Sequence, residues 1–341
     1  MSYNMSTRLS KDCGSRLSLS LRYRRVCSTT EITSVGIASI DSSSEPCAFA
    51  ICTASQTALP WIDIFSLTTQ RGLTKVAGSN AVFSPYSDVG SGRFATLRIG
   101  QPQPGQAGEL PCGGSVLIRD CRNGKTSLEI KHAATGPVAW SCDGTAVAAG
   151  EGRNRMGVWD SRSGARIGRV IGHIDEVTHA AFAPNLKLVT LSRDGMVRIT
   201  DPKTAKTLAR LEVDGSRTNP RALAVAPSGR CIVSLWGTTI HVWTPEAGQV
   251  TSYSLNSTRR TEGWPLCISS DCRWMACRTE CGFDVVDLAS GTVVWEERRD
   301  VVEDGVMGMV TAGAFSSDGA LLILGRMDGV VEVWDVEERW T

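Results

Sequence analysis

Val158-Trp159-Asp160 is the stretch that decides the fold, because its pattern returns along the chain at a nearly constant interval. An intact second copy is Val333-Trp334-Asp335. Three altered copies lie between them: Ile199-Thr200-Asp201, Val242-Trp243-Thr244 and Val285-Val286-Asp287. The tryptophan-equivalent positions 159, 200, 243, 286 and 334 are separated by 41, 43, 43 and 48 residues. A period of this size is typical of a four-stranded unit repeated around a ring.

A recurring turn gives a second landmark with the same spacing. It reads Ser141-Cys142-Asp143-Gly144 in one unit and Ser316-Ser317-Asp318-Gly319 in another, and related turns begin at residues 183, 226 and 269. Asp-Gly between apolar runs is typical of a hairpin, because both residues tolerate positive φ. Since two landmarks report one period, the sequence predicts an all-β propeller whose blades each contain four antiparallel strands.

The number of blades follows from two weaker units that precede these five, around residues 47–65 and 81–120, which makes seven. The last Trp-Asp lies close to the end of the sequence, so the seventh blade lacks an outer strand. Residues 16–25 alternate apolar and polar side chains, and we expect them to supply that strand and close the ring, which removes an exposed sheet edge. We expect a disordered tail over 1–15, one propeller over 16–341, and a long loop over 99–114 inserted in the second blade.

The composition excludes several classes of protein. The chain has 341 residues, 42% of them hydrophobic, and a net charge of +1, so no global field favours nucleic acid. No apolar run approaches the roughly 18 residues that a membrane span requires. The N-terminal residues lack the apolar segment of a secretory signal, and the 12 cysteines are therefore expected to be reduced thiols. We expect a monomeric protein of the cytoplasm or the nucleus, with no membrane contact.

At this point the chain resembles the WD-repeat β-propeller family. The resemblance rests on Gly172-His173, Phe182-Ala183-Pro184, Asp194-Gly195 and Asp201, which follow that family's repeat pattern. It implies a hydrogen-bonded network of His173, Ser192 and Asp194, in which Thr200 stands where the family has tryptophan. It also implies structural roles for the remaining repeat positions, which are Trp159, Asp160, Asp201, Trp243, Asp287, Trp334 and Asp335.

Motifs for catalysis, metal binding or cofactor binding are incomplete in this sequence. The four histidines are dispersed, which disfavours a metal site or a catalytic triad. One local group of cysteines lacks the two-residue spacing of a zinc knuckle, namely Cys267, Cys272, Cys277 and Cys281. Gly124-Lys125-Thr126 resembles the end of a phosphate-binding loop, but that loop needs a glycine where Arg119 stands. We therefore predict that the protein is not an enzyme and has no metal or cofactor.

Two alternative functions stay open at this point. Asp287 to Gly291, followed by Trp295, resembles the docking motif of quinoprotein dehydrogenase propellers. The motif occurs in one blade of seven, which makes an enzyme of this type an alternative to a binding protein. A nucleic-acid-associated propeller that uses basic loops is the other alternative, although the net charge disfavours nucleic acid as a partner.

The remaining candidate is a surface rich in arginine. In a propeller, the loops between the second and third strands and the loops that join blades gather at one end of the ring. The candidate partner-binding residues in or beside these loops are Arg153, Arg155, Arg193, Arg259, Arg260, Trp264, Arg278 and Arg326. Arginine and tryptophan are enriched in binding hot spots, although solvated loop charges balanced by nearby carboxylates are the alternative explanation. We predict a non-catalytic scaffold whose protein partners carry acidic or phosphorylated segments.

Overall fold

The structure is a computed structural model that describes most of the chain. It covers residues 15–27, 31–38, 48–53, 61–67, 69–84, 92–98, 114–131, 136–213, 220–254, 264–279, 282–297, 309–316 and 318–340. All regular secondary structure in these residues is β-strand. The predicted tail, apart from Ser15, and the predicted inserted loop, apart from Gly114, lie outside the described residues.

Strand β1 (Ser15–Val26) precedes the blades, and the remaining 27 strands follow in blade order. The first blade contains β2 (Ile32–Ala38), β3 (Ala48–Thr53), β4 (Trp61–Ser66) and β5 (Gly72–Ala77). The second contains β6 (Ser79–Phe83), β7 (Arg93–Arg98), β8 (Ser115–Asp120) and β9 (Thr126–Lys131). The third contains β10 (Val138–Trp140), β11 (Ala146–Gly150), β12 (Met156–Asp160) and β13 (Arg166–Val170).

The second half of the ring repeats this arrangement. The fourth blade contains β14 (Val177–Phe182), β15 (Leu188–Ser192), β16 (Met196–Asp201) and β17 (Lys206–Glu212). The fifth contains β18 (Pro220–Val225), β19 (Ile232–Trp236), β20 (Thr239–Thr244) and β21 (Gln249–Ser254). The sixth contains β22 (Trp264–Ile268), β23 (Trp274–Arg278), β24 (Phe283–Asp287) and β25 (Thr292–Glu296). The seventh contains β26 (Val310–Phe315), β27 (Leu321–Arg326) and β28 (Val330–Trp340).

The ring is closed by the N-terminal strand, as the sequence predicts. The described strands form seven four-stranded antiparallel sheets, and the last has the order β1-β28-β27-β26. The first strands of the blades, β2, β6, β10, β14, β18, β22 and β26, contact each other in that order, and β26 returns to β2. Arg22 on β1 forms an ion pair of 2.7 Å with Asp335, which fixes the closing strand to the last Trp-Asp pair.

Where the repeat keeps its tryptophan, that side chain packs its blade against the preceding one. Trp159 of the third blade lies in an apolar cluster with Val116 and Ile118 of the second. Trp334 of the seventh blade contacts Phe283 and Trp295 of the sixth, with ring centroids 5.3 and 5.5 Å apart. The core of the protein therefore lies between blades, and the blades stabilise one another by burying apolar surface.

The aspartate of the repeat organises the turn that follows it. The Asp160 Oδ1 atom accepts hydrogen bonds from the backbone N–H groups of Arg162, at 3.0 Å, and Ser163, at 2.7 Å. Asp201 and Asp287 accept equivalent bonds from the residue two positions later. The hydrogen bonds from Ser163 lower the pKa of the Asp160 carboxyl below its usual value. Asp201 and Asp287 keep these bonds although their blades lack the tryptophan, so this turn does not require it.

Candidate partner-binding face

Two classes of loop meet at one end of the third and fourth blades. We call this end the interblade face; in the described residues it includes 151–155, 171–176, 193–195 and 327–329. The N–H group of Val177 donates to the carbonyl oxygen of Arg153 at 2.7 Å, and the N–H group of Arg193 donates to that of Glu176 at 2.9 Å. These bonds join the loop between blades three and four to a loop of each blade, so the three loops form one surface.

A buried hydrogen-bonded network holds the loop between blades three and four. His173 Nδ1 lies 2.9 Å from Asp194 Oδ2, and His173 Nε2 lies 2.8 Å from the Thr190 hydroxyl. The predicted hydroxyl partner, Ser192, is wrong in this detail. Ser192 Oγ donates instead to the carbonyl oxygen of Asp175 at 3.0 Å and accepts from the N–H group of Asp194. Both hydroxyls stabilise the loop, but only that of Thr190 reaches the imidazole.

The charge of Asp194 is stabilised by this network. Burial of the carboxyl favours its neutral form, but hydrogen bonds from His173 and from the N–H groups of Ile174 and Met196 outweigh burial and lower its pKa. Thr200, where the family has tryptophan, is fully buried, and its hydroxyl has no hydrogen-bond partner among the described residues. The network is therefore intact at His173 and Asp194 and incomplete at Thr200.

The network presents a small exposed surface that combines cationic and apolar side chains. We call it the blade 3–4 surface; it consists of Arg153, Arg155, Ile171, Ile174 and Arg193. Ile174 is 87% exposed, although it follows His173 directly in sequence and its N–H group is bonded to Asp194. Arg193 Nε lies 3.4 Å from Glu176 Oε2 in an exposed pair. Among the described residues, Arg153 and Arg155 have no ion-pair partner, so their charges are available to a ligand.

Arg326 was predicted to belong to this face, and that prediction is wrong. Its side chain is buried, with 2% exposure, and Arg326 Nη2 lies 2.8 Å from Glu332 Oε2 and 3.4 Å from Glu297 Oε2. Arg24 on the closing strand lies 3.4 Å from Glu332 Oε1. These charges form a neutral group between the sixth and seventh blades, and they hold the ring together where it closes.

The strand register explains why Arg326 and Arg193 differ. Val310 pairs with Arg326 as Val177 pairs with Ser192, so Arg326 takes the inward position of Ser192. Met327, which is 48% exposed, takes the outward position of Arg193. A shift of one residue along a strand moves a side chain to the opposite face. Arg326 is therefore buried because it lies one position earlier in the repeat than the exposed Arg193.

The other predicted surface residues give less support to the prediction. Arg278 pairs with Phe283 at the end of β23, in the strand position of Arg326, and is half-buried. Trp264 begins β22 and pairs with Arg278 in the register. Arg259 and Arg260 lie outside the described residues. Of the predicted residues, Arg153, Arg155 and Arg193 therefore lie on the blade 3–4 surface. Ile174 lies there too, although no sequence pattern predicted it.

The structure also accounts for the residues that suggested other chemistry. Trp295, which suggested a quinoprotein, packs against Phe283 of its own blade with ring centroids 4.8 Å apart and against Trp334 of the seventh blade at 5.5 Å, so it contributes to packing between blades. Cys267 and Cys277 lie on paired strands of the sixth blade. In the residues that the structure describes, no group of three His, Cys, Asp or Glu side chains is placed to hold a metal ion. Among the same residues, no helical segment has the length and hydropathy that crossing a bilayer requires.

Comparison with known proteins adds to this geometry. A family model described as WD40, WD domain, G-beta repeat matches residues 164–201 and 303–335, which fall in the third, fourth and seventh blades. The chain carries WD repeats. The matched segments include Asp194, Asp201, Trp334 and Asp335, which are four of the predicted repeat positions. The described strands of the other blades form four-stranded sheets as well, although their sequences depart from the repeat pattern.

Two relatives are similar to a larger part of the chain. Small ribosomal subunit protein RACK1y of Oryza sativa subsp. japonica is 29% identical over 189 residues, which cover 54% of this chain and 54% of that protein. Periodic tryptophan protein 2 homolog of Dictyostelium discoideum is 26% identical over 213 residues, which cover 58% of this chain and 21% of that protein. The chain therefore spans about half of the first relative and about a fifth of the second.

Proposed function

We propose that this WD-repeat propeller is a non-catalytic scaffold of the cytoplasm or the nucleus, and that the blade 3–4 surface binds a protein partner. The observation that carries the proposal is that the loops of Arg153, Ile174 and Arg193 are joined by hydrogen bonds while all three side chains are exposed. Charged groups supply orientation and association rate, whereas an exposed apolar side chain supplies area that binding can bury. The arrangement fits an acidic or phosphorylated segment that carries an apolar residue beside its charge.

The rigidity of the surface supports the same proposal. Arg153, Arg193 and Ile174 belong to three loops that are joined through backbone bonds and through the buried pair of His173 and Asp194. A preformed surface loses less conformational entropy on binding than a flexible one. The rice relative is named as a protein of the small ribosomal subunit, and we extend to this chain only the general role of assembling with other macromolecules.

The experiment compares a charge reversal on this surface with an equal reversal on the other end of the same blade. The test variant is Arg153→Glu, Arg155→Glu, Arg193→Glu, and the control variant is Lys187→Glu, Lys203→Glu, Lys206→Glu. All six side chains are exposed, and the three lysines lie in or beside turns at the opposite end of the fourth blade. Both variants change the net charge equally, so any difference between them reports position.

The probe is a synthetic peptide in which phosphoserines flank a leucine, with alanine and aspartate versions of the same peptide. We expect the test variant to bind the phosphopeptide at least about tenfold more weakly than the control variant does, which is about 1.4 kcal/mol. Ile174→Ser should weaken binding without changing its dependence on salt, because it removes apolar contact and no charge. Equal binding by both triple variants contradicts the proposed surface, and preference for single-stranded RNA over the peptide contradicts the proposed partner class.

A further inference from the structure

Two cysteines from neighbouring blades lie in contact at the end of the ring opposite the interblade face. Cys231 directly precedes the second strand of the fifth blade, after the turn at residues 227–230, and Cys272 lies in the equivalent turn of the sixth blade. Cys272 Sγ lies 3.7 Å from the carbonyl oxygen of Cys231, to which it donates, and both side chains pack in the same apolar cluster. Both are free thiols, Cys231 half-buried and Cys272 buried.

We propose that Cys231 and Cys272 form a modification site in which a hydroperoxide converts the two thiols to a disulfide between the fifth and sixth blades. The pair is 41 residues apart in sequence. It therefore crosses the boundary between repeats, and no spacing rule for cysteine within one repeat reveals it.

The backbone at Cys272 gives the proposal a second, independent observation. Cys272 has a φ of 60°, in the left-handed region that side chains with a Cβ atom adopt at a cost of about 1 kcal/mol or more. The equivalent turns of the third, fifth and seventh blades place Gly144, Gly229 and Gly319 there, with φ of 67°, 71° and 74°. In all four turns this residue donates its N–H group to the carbonyl oxygen three positions earlier. The strained conformation places the Cys272 thiol against Cys231, where glycine would place nothing.

The chemistry of the pair divides the two roles between its members. The hydrogen bond from Cys272 lowers the pKa of Cys231 against the opposing effects of burial and of Asp271. The same hydrogen bond, together with burial, raises the pKa of Cys272. Cys231 is therefore the thiol that ionises first, and the thiolate is the form that attacks a peroxide. Cys272 remains protonated beside it and is placed to react with the product.

The steps balance with a hydroperoxide as the only oxidant. The Cys231 thiolate attacks the O–O bond, forms an S–O bond and releases an alkoxide or hydroxide, which takes the proton that Cys231 lost. The Cys272 sulfur then attacks the sulfenic acid at Cys231, the S–S bond forms, and the hydroxyl group leaves with the Cys272 proton as water. The two thiols lose two electrons in total, and the peroxide gains them.

Neighbouring thiols provide an internal comparison. Cys277 lies in the same apolar cluster as Cys231 and Cys272, and burial raises its pKa to about 12. Burial also raises the pKa of Cys267, which lies on the strand paired with that of Cys277. A buried thiol with a raised pKa reacts slowly with peroxide. The proposal therefore predicts selective oxidation of one pair within a cysteine-rich region.

The test treats the folded, reduced protein with hydrogen peroxide, alkylates the remaining thiols, and maps peptides by mass spectrometry without reduction. We expect the wild type to lose the Cys231 and Cys272 thiols together, to yield the cross-linked peptide, and to recover both thiols with dithiothreitol. The Cys231–Cys272 peptide should exceed any Cys267–Cys277 peptide at least about tenfold. Oxidation without this cross-link, or survival of both thiols under conditions that oxidise free cysteine, overturns the proposal.

Two variants separate the chemistry from folding. Cys272→Gly restores the residue found in three equivalent turns, so we expect it to fold and to accumulate a sulfenic acid at Cys231 that dimedone traps. The third blade has alanine, Ala146, at the position equivalent to Cys231. The Cys231→Ala variant should therefore fold, and it should protect Cys272 from peroxide. Both variants should melt within a few degrees of the wild type. If Cys272→Gly forms no more dimedone adduct at Cys231 than at Cys277, Cys231 is not the reactive thiol and the proposal fails.

Discussion

Replacement of Arg326 by methionine should destabilise the propeller strongly, because it leaves two carboxylates without their shared cation. Arg326 and Glu332 are buried, with 2% and 0% exposure, and their charged atoms lie 2.8 Å apart. Glu297, at 6% exposure, lies 3.4 Å from the same Arg326 nitrogen. Removing one partner of a buried ion pair costs about 3–5 kcal/mol, whereas an exposed pair contributes about 0–1 kcal/mol. We therefore expect the free energy of unfolding to fall by about 3–5 kcal/mol.

The assay is unfolding in urea at pH 7, followed by tryptophan fluorescence, with Arg193→Met as the matched control. Arg193 makes an ion pair of 3.4 Å with Glu176, but that pair is exposed, so the control should change stability by less than about 1 kcal/mol. A third variant combines Arg326→Met with Glu332→Met and Glu297→Leu. Because it removes all three buried charges, it should recover most of the lost stability.

Comparing Arg326→Met with Arg193→Met also tests whether Arg326 is buried or lies on the surface. If Arg326 were a surface residue, as its place near the turn suggested, Arg326→Met and Arg193→Met would have the same small effect. A loss of less than about 1 kcal/mol in Arg326→Met, or a triple variant less stable than the single one, would refute the buried charge group. Transition midpoints and slopes should be compared together, since a chain of this length can unfold through intermediates.

Three further predictions concern the network and the closing strand. Asp194→Asn should lower stability at neutral pH. Since the pKa of Asp194 is lowered in the folded protein, the loss in free energy of unfolding relative to wild type should be fully present above about pH 4 and should shrink as the pH falls further. Urea titrations at several pH values measure this loss. Thr200→Val removes a buried hydroxyl without a partner and should leave stability equal or higher by up to about 1 kcal/mol, whereas Thr190→Val should lower it by about 1–3 kcal/mol in the same assay. Deletion of residues 1–26 removes β1 and should sharply lower the melting temperature in calorimetry, whereas deletion of residues 1–14 should not.

Much of the fold could be predicted because the propeller is periodic. The spacing of Trp-Asp and of the hairpin turns predicted seven blades, and the alternation in 16–25 predicted the closing strand, which the structure extends to Ser15–Val26. These signals are local, since turn chemistry and strand alternation depend on residues that are near in sequence. The ring follows because each blade can bury its faces only against its neighbours.

The site was predictable only in part, because its details depend on single positions in the register. Thr190 and Ser192 are two residues apart on one strand and point to the same side, so the sequence cannot say which of them reaches His173. Arg193 and Arg326 both lie near a turn, but they occupy positions one residue apart in the repeat. Contacts between blades, such as Cys231 with Cys272, join residues that no periodic pattern pairs.

The departures from the repeat are the informative positions of this propeller. At a fixed backbone position, Ser192 in one blade is Arg326 in another, and Gly229 in one is Cys272 in the next. The backbone is the same in each case, so the fold does not require the change. Arg326 replaces a small hydroxyl with a charge that the closing blade neutralises, and Cys272 replaces glycine at the cost of backbone strain. Substitutions that work against local preference indicate where a repeat has acquired a task beyond folding, and Cys272→Gly tests one of them by restoring the residue that three other blades carry.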